Sequence, residues 1–314
     1  KRIKEMKDLI ITGGLGFSGK HFFKFSQKYF KKIIVIDKKT YSADMKFFRK
    51  YKRKNDKIYI FDICNLKKLS NLITQQSTIV HFAAESHVDN SFKSSLKFTK
   101  SNALGTHALL EVCRLKKPKK IIIISTDEVY GESIKNYKNE KSLLNPTNPY
   151  SASKAAADLI SQSYFKSFKL PLVLIRSNNL YGPFQHIEKI IPATIDAVNY
   201  GNKLFIHGKG KTIRHFLHIE DLCRAIYILL NRFKKGQIYN IAGKHSLKII
   251  DLVKLISKIK KIDYTKISKF VDDRPFNDRN YKISSSKIKK LGWKEKKIFM
   301  KEILKMTKKN EVFK

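Results

Sequence analysis

The sequence is short of cysteine and of long apolar runs, and these shortages exclude several classes of protein. Its three cysteines, Cys64, Cys113 and Cys223, lie far apart, and none belongs to a CxxC pair, so we predict neither a metal site nor a disulfide framework. No apolar run reaches the roughly 18 residues that a membrane span needs. No charged-then-apolar leader precedes the first predicted strand. We therefore expect a soluble, cytoplasmic protein with no membrane partner.

Acidic residues are also scarce: 26 Asp and Glu stand against 66 Lys and Arg, which gives a net charge of +40. Such a balance ordinarily suggests nucleic acid or an anionic surface as a partner. Here the excess is mostly lysine, spread along the whole chain without a basic tail or a repeated aromatic-basic module. We favour lysine-rich solvated faces and expect no nucleic-acid partner. A polyanion-binding surface is the alternative, and its binding would depend steeply on salt.

The order of apolar and helical patterns along the chain favours an α/β fold. The 314 residues, 42% of them hydrophobic, suffice for an α/β domain with a smaller lobe. Short apolar strands alternate with helical patterns, as in a doubly wound parallel sheet of the Rossmann type. We predict strands at 9–11, 33–36, 58–61, 79–82, 121–124, 172–175 and 238–241, with helices at 102–114, 190–200 and 249–262. The predicted division is 1–176 as the Rossmann domain, with 211–243 returning to it, and 177–210 with 244–314 as a smaller C-terminal lobe.

A glycine-rich turn follows the first strand, in the segment TGGLGFSG that begins at Thr12. Gly13, Gly16 and Gly19 allow a tight turn and a close approach to a pyrophosphate, which the next helix N-terminus stabilises. The second strand ends in Asp37, eighteen residues after Gly19, where a carboxylate can bind the ribose of an adenosine. This arrangement predicts NAD rather than NADP, although the lysines at 38 and 39 make that preference less sharp.

Further polar or small residues follow the next strands. Asp62 and Ile63 stand where an adenine edge can be contacted, and Ala83 and Ala84 are small enough to let a cofactor lie against the backbone. We interpret His81 as a hydrogen-bonded polar group near a strand end rather than as a functional residue.

The run Ile121–Ile124 predicts a strand buried on both faces, and Thr126, Asp127 and Glu128 stand at its carboxyl end. Ligands of open α/β sheets bind at that edge. Tyr150 and Lys154 share one face of the following helix, where the ammonium can lower the pKa of the phenol. The pair suits removal of a hydroxyl proton while hydride leaves the same carbon, and Thr126 can hydrogen-bond the same hydroxyl.

The adjacent carboxyl groups of Asp127 and Glu128 are the more informative feature. One protonated and one ionised carboxyl can eliminate water, because the base takes a proton next to a carbonyl while the acid protonates the departing hydroxyl. Each charge would raise the pKa of the other group. The alternative is that Asp127 caps the turn and Glu128 points to solvent.

These residues resemble the extended short-chain dehydrogenases, and within them the dTDP-glucose 4,6-dehydratases. The resemblance covers nearly the whole chain. Its less specific parts are the glycine-rich turn and YxxxK, and its more specific parts are the Thr-Asp-Glu triplet and the DRPxxDxxY-like segment. The motifs that carry it are TGGLGFSG, HFAAESHVDNSF, STDEVYG, PYSASKAAAD, SNNLYGPFQHIEKIIP, RHFLHIED, VDDRPFNDRNY and the closing Leu291-Gly292-Trp293.

The resemblance implies a redox-neutral reaction on tightly held NAD that yields a 4-keto-6-deoxy sugar nucleotide, a precursor of rhamnose and other deoxysugars of polysaccharides. Tyr150 would deprotonate the sugar 4-hydroxyl, Glu128 would remove the C5 proton, and Asp127 would protonate the C6 hydroxyl as water leaves, before hydride returns to C6. The implied cofactor-binding residues are Gly13, Gly16, Phe17, Gly19, Asp37, Lys38, Thr40, Asp62, Ile63, Ala83, Ala84, Ser86, Ser101, Tyr150 and Lys154. The implied substrate-binding residues are Ser86, Asn179, Lys189, Arg214, Asp273, Arg274 and Tyr281.

Several positions depart from the family pattern. Ser18-Gly19-Lys20 replaces Ile-Gly-Ser, Phe276-Asn277 replaces Gly-His, and 241–249 lacks an asparagine that often helps to bind the base. The nucleotide therefore stays open between dTDP and UDP. A 4-epimerase or decarboxylase that uses only Tyr150 and Lys154 is a further alternative, and an NAD-sensing or polyanion-binding module is a non-enzymatic one. Family members are commonly homodimers, so we expect a homodimer through helices at 102–114 and 155–168.

Overall fold

The computed structural model describes residues 6–313; the ends of the predicted domains at 1–5 and 314 lie outside them. The strands of this range, in chain order, are β1 (Met6–Thr12), β2 (Phe30–Asp37), β3 (Lys57–Ile60), β4 (Ser77–His81), β5 (Lys120–Thr126), β6 (Leu172–Ser177), β7 (Asn179–Tyr181), β8 (Gln185–His186), β9 (Leu204–His207), β10 (Ile213–His218), β11 (Ile238–Ile241), β12 (His245–Lys248), β13 (Ser268–Val271) and β14 (Val312–Phe313).

The helices are α1 (Phe17–Ser26), α2 (Met45–Tyr51), α3 (Leu66–Ser70), α4 (Val88–Lys93), α5 (Ser95–Phe98), α6 (Gly105–Lys116), α7 (Pro149–Phe168), α8 (Ile190–Tyr200), α9 (Ile219–Asn231), α10 (Ile249–Ile259), α11 (Tyr264–Ile267), α12 (Ser286–Lys289) and α13 (Phe299–Lys309). A π-helical segment, Thr99–Leu104, leads into α6, and a 3₁₀ turn, Asp127–Tyr130, follows β5. Within residues 6–313 no helix has the length and apolarity needed to cross a bilayer.

The main sheet has seven parallel strands in the order β11-β6-β5-β4-β1-β2-β3. Its central strands are covered on both faces; all five residues of β4 are buried, for example. The strand order reverses between β1 and β4, so the crevice at their carboxyl ends is the expected ligand position of an open α/β sheet. The predicted doubly wound parallel sheet is confirmed.

Helices cover both faces of this sheet, and each face has its own hydrophobic core. One core joins residues such as Phe22 of α1 and Leu222 of α9 to the strands. The other joins Leu109 of α6 and Tyr164 of α7 to the opposite face. Burying both faces holds the carboxyl edge rigid, which fixes the positions of the side chains that follow each strand.

A third core lies in the C-terminal part of the chain, where residues of α8, α10 and α13 pack together around side chains such as Ile195 and Ile303. Small sheets accompany it, with the pairings β12-β10-β7, β13-β9 and β14-β8. Of the stretch 211–243, β11 joins the main sheet whereas β10 joins the three-stranded sheet. The division into 1–176 with 211–243, and 177–210 with 244–314, stays a prediction.

Candidate active site

A cavity of about 360 Å³ opens at the carboxyl edge of the main sheet. It extends from the glycine-rich turn, past the ends of β4, β5 and β6, to the small sheets of the C-terminal part. Many predicted residues line it: Gly13, Gly16, Phe17, Gly19, Ala84, Ser86, Thr126, Glu128, Tyr150, Lys154, Asn179, Lys189, Arg214, Arg274 and Tyr281. A second cavity shares Gly13, Gly16 and Ser86 with the first and therefore adjoins it. The structure thus brings most of the predicted cofactor and substrate residues to one continuous cleft.

The glycine-rich turn holds four glycines, and neighbouring backbone leaves no room for a side chain at Gly13 and Gly19. Gly13 has a left-handed φ of 67° and donates its N–H to Ile36 O at 2.7 Å. A Cβ there would lie 2.6 Å from the backbone of Ala83, and a Cβ on Gly19 would lie 2.2 Å from Gly13 O. The turn therefore approaches β4 closely and leaves the first turn of α1 facing the cavity, the geometry that suits a pyrophosphate.

The second cavity contains the remaining predicted cofactor residues: Asp37, Lys38, Thr40, Asp62, Ile63, Ala83 and Ser101. Asp37 accepts hydrogen bonds from the backbone N–H groups of Leu15 (3.0 Å) and Lys39 (2.8 Å). Burial raises the pKa of Asp37, and these two hydrogen bonds oppose the rise. Asp37 thus orders the turns on either side of it as well as lining the cavity.

Lys38 does not face the cavity as an unpaired cation. Its ammonium donates to Ser101 Oγ at 2.7 Å and lies 3.6 Å from Glu85 Oε1 and 4.0 Å from Asp62 Oδ2. Because these carboxylates share the charge of Lys38, the ammonium attracts the additional phosphate of NADP less than the sequence alone suggested.

Tyr150 and Lys154 lie in the first turns of α7, which begins with a capping box between Asn148 and Ser151 and with Pro149 as its first residue. Both side chains are buried. Lys154 Nζ donates to Ile124 O, the backbone of β5, at 2.7 Å. Burial lowers the pKa of Lys154 to about 8.

The expected lowering of the phenol pKa by Lys154 is wrong for the protein alone. Burial raises the pKa of Tyr150, the charge of Glu128 raises it further, and only a hydrogen bond with Thr126 opposes this. The physical reason is that a buried phenolate loses hydration while the ammonium of Lys154 is directed at a carbonyl.

Asp127 and Glu128 differ in their surroundings although they are adjacent. Asp127 is buried, and its pKa is raised to about 7 by burial and by the charge of Glu128. Asn178 Nδ2 donates to Asp127 Oδ2 at 2.6 Å, and the hydroxyl of Thr126 lies 3.1 Å from Asp127 Oδ1.

Glu128 lines the cavity, and its pKa is raised by burial but held down by the charges of Arg214, Arg274 and Lys189. Three cations therefore favour the ionised form of Glu128, whereas Asp127 has a like charge beside it. This asymmetry favours Asp127 as the carboxyl that holds a proton and Glu128 as the one that is ionised.

The predicted substrate residues form a cationic side of the cavity. Lys189 Nζ donates to Ser86 O at 2.7 Å, and Arg214 donates to Asp278 O at 2.9 Å and to Asn277 Oδ1 at 3.0 Å. The Arg214 guanidinium also lies over the Tyr281 ring, 5.2 Å from its centroid. These contacts fix the cations in place, as a site for a pyrophosphate requires.

Four buried polar atoms of cavity-lining residues have no hydrogen-bond partner among the described residues. They are His87 Nδ1, Ser125 Oγ, Asn179 Nδ2 and Asp278 Oδ1. An unpaired buried polar group costs free energy, so these atoms mark positions where a ligand can complete the hydrogen bonding.

Two predicted residues do not line either cavity. Asp127 lies behind Thr126, in the buried contacts given above. Asp273 is exposed and accepts a hydrogen bond from Asn277 Nδ2 at 2.7 Å, while Arg274 beside it pairs with Asp89 at 2.5 and 3.0 Å. Asp273 therefore orders its own segment.

Sequence reasoning missed Asn178 and included Asn277 and Asp278 only within the motif VDDRPFNDRNY; all three contact predicted residues. Asp278 Oδ2 accepts from Tyr281 OH and from Thr147 Oγ1, each at 2.5 Å. Asn178 lies between β6 and β7 and adjoins the predicted Asn179 in the motif SNNLYG, so that motif was the signal that could have found it. Within residues 6–313 no group of three or more His, Cys, Asp or Glu side chains is placed to hold a metal ion.

Known proteins resemble this chain over almost its whole length. Residues 10–307 match the family described as GDP-mannose 4,6 dehydratase. A dTDP-D-glucose 4,6-dehydratase of Dictyostelium discoideum is 41% identical over 339 residues, which covers 92% of this chain and 78% of that protein. The trifunctional UDP-glucose 4,6-dehydratase/UDP-4-keto-6-deoxy-D-glucose 3,5-epimerase/UDP-4-keto-L-rhamnose-reductase RHM1 of Arabidopsis thaliana is 40% identical over 92% of this chain, which spans only 45% of that longer protein.

A solved structure extends the likeness to the fold. The crystal structure of DesIV, a dTDP-glucose 4,6-dehydratase of Streptomyces venezuelae with NAD bound, superposes with a TM-score of 0.93 at 32% identity over 96% of both chains. These findings confirm the predicted family. The chain belongs to the GDP-mannose 4,6 dehydratase family, among the NAD-dependent epimerases and dehydratases of sugar nucleotides.

Proposed function

We propose that this protein is a sugar-nucleotide 4,6-dehydratase that converts dTDP-glucose to dTDP-4-keto-6-deoxyglucose on bound NAD. The observation that carries the proposal is the asymmetric pair Asp127 and Glu128 beside Tyr150. A 4-epimerase or decarboxylase needs the tyrosine base but not an adjacent acid and base. The relatives named as 4,6-dehydratases support the same activity.

NAD fits the glycine-rich half of the cleft. The close approach of Gly13 and Gly19 to neighbouring backbone leaves a cradle that a Cβ would fill. The pyrophosphate would lie at the start of α1, and the adenosine in the second cavity beside Asp37, Asp62 and Ile63. Because Lys38 is occupied by carboxylates, we propose NAD rather than NADP. When bound, NAD supplies the acceptor for a hydride from sugar C4 and the donor of a hydride to C6.

The chain's own residues then handle protons. Tyr150 takes the proton of the sugar 4-hydroxyl, with the Thr126 hydroxyl hydrogen-bonded to the same phenol oxygen. The form that takes the proton is the phenolate of Tyr150. Because the protein alone raises the pKa of Tyr150, the positive charge of a bound nicotinamide ring would favour that phenolate.

The elimination follows at the next two carbons. The 4-keto group acidifies the C5 proton, and the carboxylate of Glu128 removes it. The electrons of that bond form the C5–C6 double bond and the C6–O bond breaks. The proton of Asp127, which lies behind Thr126, reaches the leaving oxygen by way of the Thr126 hydroxyl, so that water departs. The acid needs a pKa near the working pH, and that of Asp127 is raised to about 7.

The nucleoside diphosphate would lie on the cationic side of the cavity. Lys189, Arg214 and Arg274 supply charge, and Asn179 Nδ2 supplies an unpaired donor. Ser86, whose carbonyl already binds Lys189, and Tyr281, which supports Arg214, hold this side in position. Asp273 acts by ordering the segment that carries Arg274.

UDP-glucose is the second candidate substrate. It is favoured by the 40% identity to the Arabidopsis protein whose name includes UDP-glucose 4,6-dehydratase. The departures at Phe276 and Asn277, both at the cavity, lie in the half of the site that would hold the nucleoside.

The assembly, location and pathway are further parts of the proposal. A homodimer through α6 and α7 is supported by large apolar side chains left exposed there: Leu115, 64% exposed, Leu159, 55%, and Phe168, 50%. We propose a cytoplasmic enzyme whose product enters rhamnose and other polysaccharide deoxysugars, with no nucleic-acid or membrane partner.

The proposal is tested by offering the purified protein dTDP-glucose and UDP-glucose side by side and measuring product masses. Loss of one water from either sugar nucleotide is expected, and the preferred substrate identifies the nucleotide. The matched control is the double variant Asp127→Asn/Glu128→Gln, which should bind NAD but release no dehydrated product. Epimerised product of unchanged mass, or full turnover by the double variant, would refute the function.

A further inference from the structure

One side chain, Asn178, connects the carboxyl ends of three neighbouring strands of the main sheet. It directly follows β6, and its N–H donates to Ile241 O at the end of β11, 3.2 Å away. Its side-chain Nδ2 donates to Asp127 Oδ2, after β5, at 2.6 Å, and its Oδ1 accepts from Gly243 N, after β11, at 3.1 Å. Asn178 is 2% exposed.

Gly243 determines which way the amide of Asn178 points. The backbone at Gly243 passes so close to β10 that a Cβ would lie 1.8 Å from Phe216 O, so the position of its N–H is fixed. An N–H can only donate, and therefore it requires the amide oxygen of Asn178. The amide nitrogen is then left facing Asp127, where it too can only donate.

This orientation makes the two oxygens of Asp127 unequal. Oδ2 faces a donor at 2.6 Å, so a proton on Oδ2 would oppose the amide hydrogens. Oδ1 faces the hydroxyl of Thr126, at 3.1 Å, which can accept as well as donate. The carboxyl can therefore be protonated on Oδ1 only, and Thr126, unlike Asp127, lines the cavity.

Resting on the proposed dehydration, we propose that Asn178 is a positioning residue that, braced by the Gly243 N–H, confines the acid proton of Asp127 to Oδ1, next to Thr126. It touches neither reacting atom itself. A neutral Asp127 with its proton on Oδ1 donates to Thr126 Oγ1, whose own hydrogen is then available to the phenol oxygen of Tyr150. One side chain thus links the protonation of the acid to the hydrogen bond of the base.

The donor also sets how readily Asp127 ionises. The hydrogen bond from Asn178 lowers the pKa of Asp127, against the upward effects of burial and Glu128. Removing the donor should therefore move protonation of Asp127 to higher pH. A residue that merely filled space would have no such effect.

The variants Asn178→Asp and Asn178→Leu test whether Asn178 acts as a hydrogen-bond donor to Asp127 or only fills space. The aspartate keeps an acceptor for Gly243 N but places a second carboxyl against Asp127 Oδ2. The two carboxyl groups should then share a proton, and the pH at which this proton is lost should lie about one unit or more above the wild-type value. The leucine removes donor and acceptor together. The pH at which Asp127 ionises is read from the pH dependence of the free energy of unfolding, relative to the same background carrying Asp127→Asn, and needs no turnover.

Kinetics give a second readout. Both variants should lower kcat by about tenfold or more, since the acid is misplaced, while KM for the sugar nucleotide stays unchanged because Asn178 is not among the charged groups that hold it. The matched control is Asn240→Leu: Asn240 is a buried asparagine at the end of β11 that accepts from Tyr130 OH at 2.9 Å. The Asn240→Leu variant should lower the free energy of unfolding without changing the pH at which Asp127 ionises.

The inference is overturned if Asp127 ionises at the wild-type pH in both Asn178 variants and these variants, like Asn240→Leu, differ from the wild type only in a lower free energy of unfolding. If Asn178→Leu does not fold, the aspartate variant decides. A wild-type protein that releases no dehydrated product would refute the proposed function, whereas the unfolding measurement would still report on Asn178.

Discussion

Asp127→Asn should change the pH dependence of stability in a way that only a buried, protonated carboxyl predicts. The pKa of Asp127 is raised from 3.8 to about 7 by burial and by the charge of Glu128. Between these values the folded protein holds a proton that the unfolded chain releases, so a rise in pH favours unfolding. The stability associated with this proton is present at low pH and is lost as pH rises to about 7.

The size of the effect follows from the shift. Roughly three pH units at about 1.4 kcal/mol each give about 4 kcal/mol as an upper bound. Asparagine cannot ionise, and it can still accept from Asn178 and donate to Thr126. The difference in free energy of unfolding, variant minus wild type, should therefore grow by up to about 4 kcal/mol from pH 4 to pH 7 and stay constant above it.

The assay is urea unfolding of both proteins at matched NAD concentration, at half-unit steps between pH 4 and 8. Taking the difference cancels every other titrating group, provided that the variant leaves it unperturbed. In a Glu128→Gln background the difference in free energy of unfolding should still grow with pH, but over a narrower pH range. Burial still raises the pKa of Asp127 there, whereas the charge of Glu128 no longer does. A difference that does not vary with pH would refute the protonated Asp127 and, with it, the assignment of the acid.

Three further predictions concern the cofactor, the substrate and the base. Gly19→Ala places a methyl group 2.2 Å from Gly13 O, so NAD affinity measured by calorimetry should fall about tenfold or more; unchanged affinity would contradict the cradle. Arg274→Met removes a charged donor worth about 1.5–3 kcal/mol, so KM for the sugar nucleotide should rise roughly 10- to 100-fold with little change in kcat, and an unaltered KM would exclude Arg274 from binding. Tyr150→Phe should lower product formation at least about 100-fold while NAD remains bound, and retained turnover would place the base elsewhere.

Much of the main sheet could be predicted from the sequence because its signals are local. The apolar strands at 33–36, 121–124 and 238–241 lie within β2, β5 and β11, and Tyr150 and Lys154 lie together in α7 as predicted. Helix ends were less certain: the helix predicted over 249–262 ends at Ile259, and the one predicted over 102–114 begins as a π-helical segment. Backbone hydrogen bonds at helix ends depend on packing that the sequence pattern does not contain.

The parts that the sequence did not predict depend on long-range contacts. β10 pairs with β7 and β12 rather than with the main sheet, although its apolar residues alone fit either. Asn178 meets Asp127 only because β5 and β6 are neighbours with Thr126 opposite Ser177. The spacing of Tyr150 and Lys154 along a helix likewise does not predict that the Lys154 ammonium donates to Ile124 O.

The most direct test of the central claim uses dTDP-glucose carrying deuterium at sugar C4. A 4,6-dehydratase that oxidises C4 and reduces C6 of the same molecule should release a 4-keto-6-deoxy product with the deuterium at C6, identified by mass and by NMR. Release of an epimerised sugar nucleotide that has lost no water would contradict the account, as would a dehydrated product whose C6 carries no deuterium.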